Sequence, residues 1–100
     1  EVLSSLEVVN SKRARARGLL GRDGIDGAML LPGTRSVHTI GMRFDLDVAF
    51  LDDSWFVIRV VRLKRRRVTR VVRKAAAVLE AEAGAFREWD LSVGDRLEIR

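Results

Sequence analysis

The side chains best suited to chemistry lie between residues 35 and 47. They are Arg35, His38, Thr39, Arg43 and Asp47. His38 is the single histidine of the chain, and together with Asp47 it would supply the acid and base of a hydrolase-like enzyme. The chain has no cysteine, and no serine has the glycine-flanked surroundings of a nucleophile elbow. Catalysis is therefore the less favoured hypothesis for this stretch.

Two carboxylates in the same stretch raise the question of a metal. Asp45 and Asp47 alternate along a predicted strand, so both side chains lie on one face of it. A calcium loop needs a glycine at its sixth position, and Phe50 occupies that position when the count starts at Asp45. No glycine-rich phosphate-binding pattern is present either. We expect no metal site and no cofactor.

Asp47 lies opposite the apolar face of its predicted strand. If it is nevertheless buried, a basic side chain or backbone N–H groups must satisfy its carboxylate, because an unpaired buried charge is costly. Arg43 or Arg35 is the expected partner, since a guanidinium can bind a carboxylate through two parallel hydrogen bonds.

Basic residues are concentrated in one part of the chain. The net charge is +5, yet residues 54–79 contain nine basic residues and no acidic one. The candidate anion-binding residues are Arg62, Lys64, Arg65, Arg66, Arg67, Arg70 and Arg73. The segment 59–74 thus predicts weak, salt-dependent binding to nucleic acid or another anionic surface. A solvated arginine-rich face explains the same pattern.

Length and composition are those of one globular domain covering residues 1–100. Hydrophobic residues make up 47% and charged residues 33% of the chain. No apolar run approaches the roughly 20 residues that a transmembrane helix needs. No basic segment followed by an apolar stretch opens the sequence, so we expect a cytoplasmic protein.

The first third of the chain predicts a strand, a helix and a second strand. Leucine and valine favour a strand over 3–9. Asn10 and Ser11 are both good N-caps for a helix over 12–20. A glycine-containing turn then leads into a strand over 28–31, which the Pro32-Gly33 pair ends.

The middle of the chain predicts a hairpin. Strict alternation over 44–51 places Phe44, Leu46, Val48 and Phe50 on a buried face. The partner strand over 55–63 is expected to bury Phe56, Ile58 and Val60.

The alanine-rich segment 73–83 is ambiguous. Its composition is typical of a helix, whereas the alternation over 77–83 is typical of a half-buried strand. One or two helical turns over 85–91 and a last strand over 96–99 complete the prediction.

Four motifs point to a family. Residues 17–22 read Arg-Gly-Leu-Leu-Gly-Arg, residues 36–44 read Ser-Val-His-Thr-Ile-Gly-Met-Arg-Phe, and residues 46–51 read Leu-Asp-Val-Ala-Phe-Leu. The closing motif is Leu79-Glu80, Ala83-Gly84, Leu91 and Val93-Gly94-Asp95. In this order they resemble the signatures of a prokaryotic family, the domain of unknown function 192. The sequence departs from the pattern at Asp45 and Glu82, where the family usually has proline.

The resemblance implies a fold but no activity. The expected class is α+β and mostly β, with a mixed barrel-like or sandwich-like sheet and one or two short helices, and it favours strand over helix for 77–83. Glu80 joins the candidate site residues through its motif. We therefore predict a non-enzymatic binding or accessory module with an unidentified partner; the alternatives are the anionic-surface binder and the hydrolase.

Overall fold

The computed structural model describes residues 5–98, which form a five-stranded mixed sheet and two helices. In chain order the elements are β1 (Leu6–Val8), α1 (Lys12–Leu19), β2 (Ala28–Pro32), β3 (Leu46–Leu51), β4 (Val57–Leu63), β5 (Ala77–Glu82) and α2 (Ala85–Glu88). The predicted mostly-β class with two short helices is confirmed. Within the described range, neither helix has the length and apolarity needed to cross a membrane.

The strand order across the sheet is β1-β2-β5-β3-β4. β1 runs parallel to β2, and the other pairs are antiparallel. Because β1 and β4 are edge strands, the sheet is open and not a barrel. Apolar clusters cover both of its faces, an arrangement compatible with the sandwich-like part of the prediction.

β3 shows how the two faces are built. Leu46, Val48 and Phe50 contribute to a first apolar cluster that also contains Leu19 of α1. Ala49 and Leu51 contribute to a second cluster that contains Phe86 of α2. The predicted apolar stripe is confirmed, but the predicted polar face is wrong. All six residues of β3 are buried because α2 and the chain after it cover that side.

The predicted burial in β4 is partly wrong. Phe56 precedes the strand and is 41% exposed. Ile58 packs against the first cluster and Val60 against the second, so these residues do not share a face. A register shift between Phe50 and Leu51 in the pairing with β4 reverses the alternation at this point.

α1 follows its sequence signals closely. The Ser11 side chain accepts a hydrogen bond from the Ala14 N–H, so Ser11 is the one of the two predicted N-cap residues that caps the helix. Gly18 lies close to β2: a Cβ atom placed there would come within 2.5 Å of the Met29 methyl carbon. The glycine lets the helix approach the sheet, and any side chain there would force Met29 to move.

The alanine-rich segment is a strand. β5 lies between β2 and β3 and is hydrogen-bonded to both, which confirms the choice that the family resemblance favoured. By contrast, the last predicted strand reduces to an isolated bridge between Arg96 and Phe56. Residues 3, 4 and 99 of the predicted terminal strands lie outside the described residues.

Candidate functional site

A cleft of about 350 Å³ opens on the α1 side of the sheet. Its walls are α1 and the residues before it, the end of β2, and the segment 33–42. Apolar side chains such as Leu31 and Met42 contribute to the lining, together with polar ones such as Lys12 and Ser36. Among the lining residues that the structure describes there is no aspartate or glutamate. The cleft therefore offers apolar surface, hydrogen-bond donors and positive charge.

A buried ion pair joins one wall of the cleft to the sheet. Arg15 holds Glu80 through two hydrogen bonds, Nε to Oε1 at 2.9 Å and Nη2 to Oε2 at 2.7 Å. Arg15 is 8% exposed and Glu80 is fully buried. The same Nη2 donates to the carbonyl oxygen of His38 at 2.7 Å. One guanidinium thus ties α1, β5 and the segment 33–42 together.

The local sequence explains why these two groups meet. Glu80 pairs in register with Met29 and Val48, which both belong to the first cluster, so its side chain points to the α1 face. Arg15 lies four residues before Leu19 and shares its side of the helix. A carboxylate in the middle of a covered sheet needs a cation, and Arg15 supplies it.

His38 lies in the cleft wall with its ring oriented by the backbone. Its Nδ1 accepts a hydrogen bond from the Ile40 N–H at 3.1 Å, which leaves the ring proton of a neutral imidazole on Nε2. The residue also forms an isolated bridge with Val68. His38 is exposed, so Nε2 can meet a ligand.

Thr39 has a structural role next to the cleft. It is fully buried, and its hydroxyl donates to the Lys64 carbonyl at 2.6 Å and accepts from the Arg67 N–H at 3.0 Å. The candidate residue Thr39 thus anchors residues 64–67 of the basic segment, and it does not belong to the cleft lining.

Asp47 lies on the opposite face of the sheet, as its register partner Ala81 in the second cluster shows. It is 4% exposed. Its Oδ1 accepts from Arg62 Nε at 3.0 Å, and its Oδ2 accepts from the N–H groups of Gly84 and Phe86 at 2.9 and 3.1 Å. The carboxylate therefore fastens β3 to the start of α2, and Gly84 with φ 102° provides the turn.

The predicted partners of Asp47 are wrong. Arg62 takes that place because it stands directly opposite Asp47 in the β3–β4 register. Arg43 instead lies 3.6 Å from Asp23 in an exposed ion pair. Arg35 is exposed, and its carbonyl accepts the Val72 N–H.

The structure therefore gathers part of the predicted set. His38 and Glu80 are linked through Arg15 on the cleft side, with Thr39 beside them. Because His38 and Asp47 lie on opposite faces of the sheet, they do not form the acid–base pair of the hydrolase hypothesis.

Arg15 is the residue that sequence reasoning missed. It is one of four arginines between positions 12 and 22, and its residue type does not distinguish it from the others. The signal that would have found it is Glu80, a carboxylate on a strand predicted to be partly buried, which requires a cation on a facing element. Helix spacing from Leu19 then selects Arg15 over Arg13 and Arg17.

The candidate anion-binding residues divide into two groups. Arg62 is engaged by Asp47, and the Arg65 N–H donates to Asp45 Oδ1 at 2.9 Å, with the Arg65 side chain 3.8 Å from the same carboxylate. All seven residues are exposed, and the aspartate contacts distinguish Arg62 and Arg65 from the other five: Lys64, Arg66, Arg67, Arg70 and Arg73.

We expect Asp47→Asn to lower the free energy of unfolding by about 2 kcal/mol, because the amide cannot accept at both ends as the carboxylate does. Urea denaturation measures the loss. Asp45→Asn is the matched control; its carboxylate is more exposed, and we expect a loss below about 1 kcal/mol. Equal losses in the two variants would mean that the burial of Asp47 does not increase its contribution to the free energy of unfolding.

The family model for the domain of unknown function 192, described as uncharacterised ACR, matches residues 2–99. The chain belongs to this family. None of the curated proteins matches its sequence. The resemblance inferred from the four motifs is thereby confirmed for nearly the whole chain.

Two solved structures share the fold of this domain of unknown function 192 protein. A protein from Sinorhizobium meliloti, described as a candidate transcription regulator, is 24% identical with a TM-score of 0.75, over 93% of this chain and 79% of that one. A protein of unknown function from Novosphingobium aromaticivorans is 18% identical with a TM-score of 0.76, over 94% and 74%. At these identities the likeness concerns the fold alone.

The domain of unknown function 192 motifs fall at two places in the structure. Residues 17–22 and 36–44 contribute Leu19, Leu20 and several residues of the segment 33–42 to the cleft, and the Leu79-Glu80 motif contributes the buried carboxylate behind it. The Leu46-Asp47 and Ala83-Gly84 motifs meet on the other face, where Gly84 donates to Asp47.

Proposed function

We propose that this protein is a non-enzymatic binding module whose site is the cleft beside α1. The observation that carries the proposal is an open cleft of about 350 Å³, large enough for a small molecule, with a mixed lining. The Arg15–Glu80 pair supports its wall, so the site is formed before a ligand arrives.

The lining indicates the chemistry of the ligand. Leu20 and Ile40 are 47% and 57% exposed at the cleft and offer apolar contact. Lys12 adds a positive charge, and no lining residue of the described chain is acidic. A small amphipathic molecule that is neutral or anionic fits this lining better than a cation does.

The arrangement of the polar groups supports binding over catalysis. His38 is the single histidine, and Asp47 is held by three hydrogen bonds on the other face of the sheet. The carboxylate nearest to His38 through the network is Glu80, which Arg15 already engages at both oxygens. A general base must reach a substrate proton with a free acceptor atom. Glu80 is fully buried and both of its oxygens accept from Arg15, so it cannot act as one.

Fluorescence titration with anilinonaphthalene sulfonate, an amphipathic anion, tests the site. We expect one saturable binding event, weakened about five-fold by Lys12→Met because an exposed attraction to the sulfonate is lost. Arg17→Met is the matched control, since it removes an exposed cation from the same helix outside the cleft lining.

A blocking variant tests the cavity itself. Ala16→Trp places an indole in the cleft and is expected to abolish dye binding, while circular dichroism remains that of the folded protein. Dye binding that survives Ala16→Trp, or that Lys12→Met and Arg17→Met weaken equally, would refute the proposed site.

A further inference from the structure

A second surface borders the cleft wall but contributes no residue to the cleft lining, and it combines positive charge with exposed apolar side chains. It consists of Arg66, Arg67, Val68, Arg70, Val71 and Arg73, and is called here the arginine–valine surface. Val68 and Val71 are 63% and 65% exposed, the two largest values among the exposed large apolar residues of the described chain. The four arginines are exposed as well.

Backbone pairing holds this surface in place. The Thr39 N–H donates to the Arg67 carbonyl, and the Thr69 N–H donates to the Val37 carbonyl, both at 2.9 Å. The Thr69 hydroxyl accepts from the Val37 N–H at 3.0 Å. With these contacts on either side of it, Val68 is presented outward by a tethered backbone.

The charge around the valines has one sign. No acidic residue lies between positions 54 and 79, so no carboxylate within the segment neutralises its arginines. Asp45, from outside the segment, contacts Arg65, which precedes the arginine–valine surface in the chain. The surface is therefore complementary to an anionic partner.

The exposed valines decide between the two kinds of anionic partner. The phosphates of a nucleic acid attract arginine, but valine adds no favourable contact with them. The surface also has no aromatic residue for base stacking and no helix to enter a groove. An anionic bilayer binds both valine and arginine, since apolar side chains enter the interface while guanidinium groups bind lipid phosphates.

We propose that the arginine–valine surface docks the protein reversibly on an anionic lipid bilayer. Val68 and Val71 enter the headgroup region, and the flanking arginines contact the lipid phosphates. The proposal is independent of the cleft and of any ligand that the cleft binds.

Co-sedimentation with vesicles tests the proposal. The protein is expected to bind vesicles of phosphatidylcholine mixed with phosphatidylglycerol but not vesicles of phosphatidylcholine alone. It should dissociate as the sodium chloride concentration is raised. The triple variant Arg66→Ser, Arg67→Ser, Arg70→Ser should bind about a hundred-fold more weakly. Val68→Ser with Val71→Ser should cost about ten-fold, and both variants should stay folded because the residues are exposed.

Matched controls remove the same groups elsewhere. Arg13→Ser, Arg17→Ser, Arg22→Ser lowers the net charge equally, and Val8→Ser with Val93→Ser removes two other exposed valines. We expect much smaller losses in both. Two results would overturn the proposal: no binding to the mixed vesicles, or equal losses in the test and control variants. If vesicle binding is absent while the protein binds duplex DNA at the same salt, and the valine variant binds DNA equally well, the surface belongs to a nucleic-acid partner instead.

Discussion

Replacing Arg15 with methionine is expected to lower the free energy of unfolding by about 3–5 kcal/mol, because the Glu80 carboxylate is then buried without its cation. Glu80 is fully buried and receives both side-chain hydrogen bonds of the pair from Arg15. Methionine keeps much of the apolar stem, so the loss reports on the charge more than on packing. Urea denaturation followed by circular dichroism measures it.

A double variant distinguishes the cost of an unpaired Glu80 carboxylate from the net contribution of the Arg15–Glu80 pair. Arg15→Met combined with Glu80→Met removes both charges, and we expect it to recover most of the lost stability. Arg17→Met, on the same helix and exposed, should change stability by less than about 0.5 kcal/mol. A double variant as unstable as Arg15→Met alone would show that the unpaired carboxylate is not the cause.

Phe50→Ala is expected to cost about 3–5 kcal/mol, since it leaves a cavity in the first cluster. Phe50 is fully buried on the inner strand β3, between β5 and β4. A domain without disulfides has about 5–15 kcal/mol of stability in total, so this loss takes a large share of it. Thermal or urea unfolding gives the value.

Phe56→Ala is the control for Phe50→Ala. Phe56 is 41% exposed, and the Arg96 guanidinium lies 5.6 Å from its ring centroid. We expect a loss below about 1.5 kcal/mol, because little apolar area returns to water and the cation–π contact is weak at an exposed site. Comparable losses at the two positions would contradict the assignment of Phe50 to the core.

Local signals predicted much of the fold. The Ser11 cap depends on residues three positions apart, and the apolar stripe within 44–51 depends on strand geometry. Both are present in the structure. The segment 77–83 was harder, because its alanines satisfy a helix and a strand alike. The family resemblance favours the strand. The segment is a strand because β5 forms hydrogen bonds with both β2 and β3.

The wrong predictions concern side chains whose burial depends on contacts between distant parts of the chain. The polar face predicted for β3 is covered by α2, which lies more than thirty residues further along the chain. Phe56 was expected in the core because strict alternation was extended through β4, but a register shift reverses that alternation. A hydrophobicity pattern contains no information about a bulge of this kind.

The family, the mostly-β class, the capped helix and the need of a buried Asp47 for a partner all follow from the order of residues along the chain. Three features require the folded chain: Arg62 and not Arg43 pairs with Asp47, Arg15 pairs with Glu80, and a cleft opens beside α1. The physical reason is that sixteen arginines are chemically equivalent in a sequence. Strand register and helix docking choose which guanidinium comes within hydrogen-bond distance of a buried carboxylate.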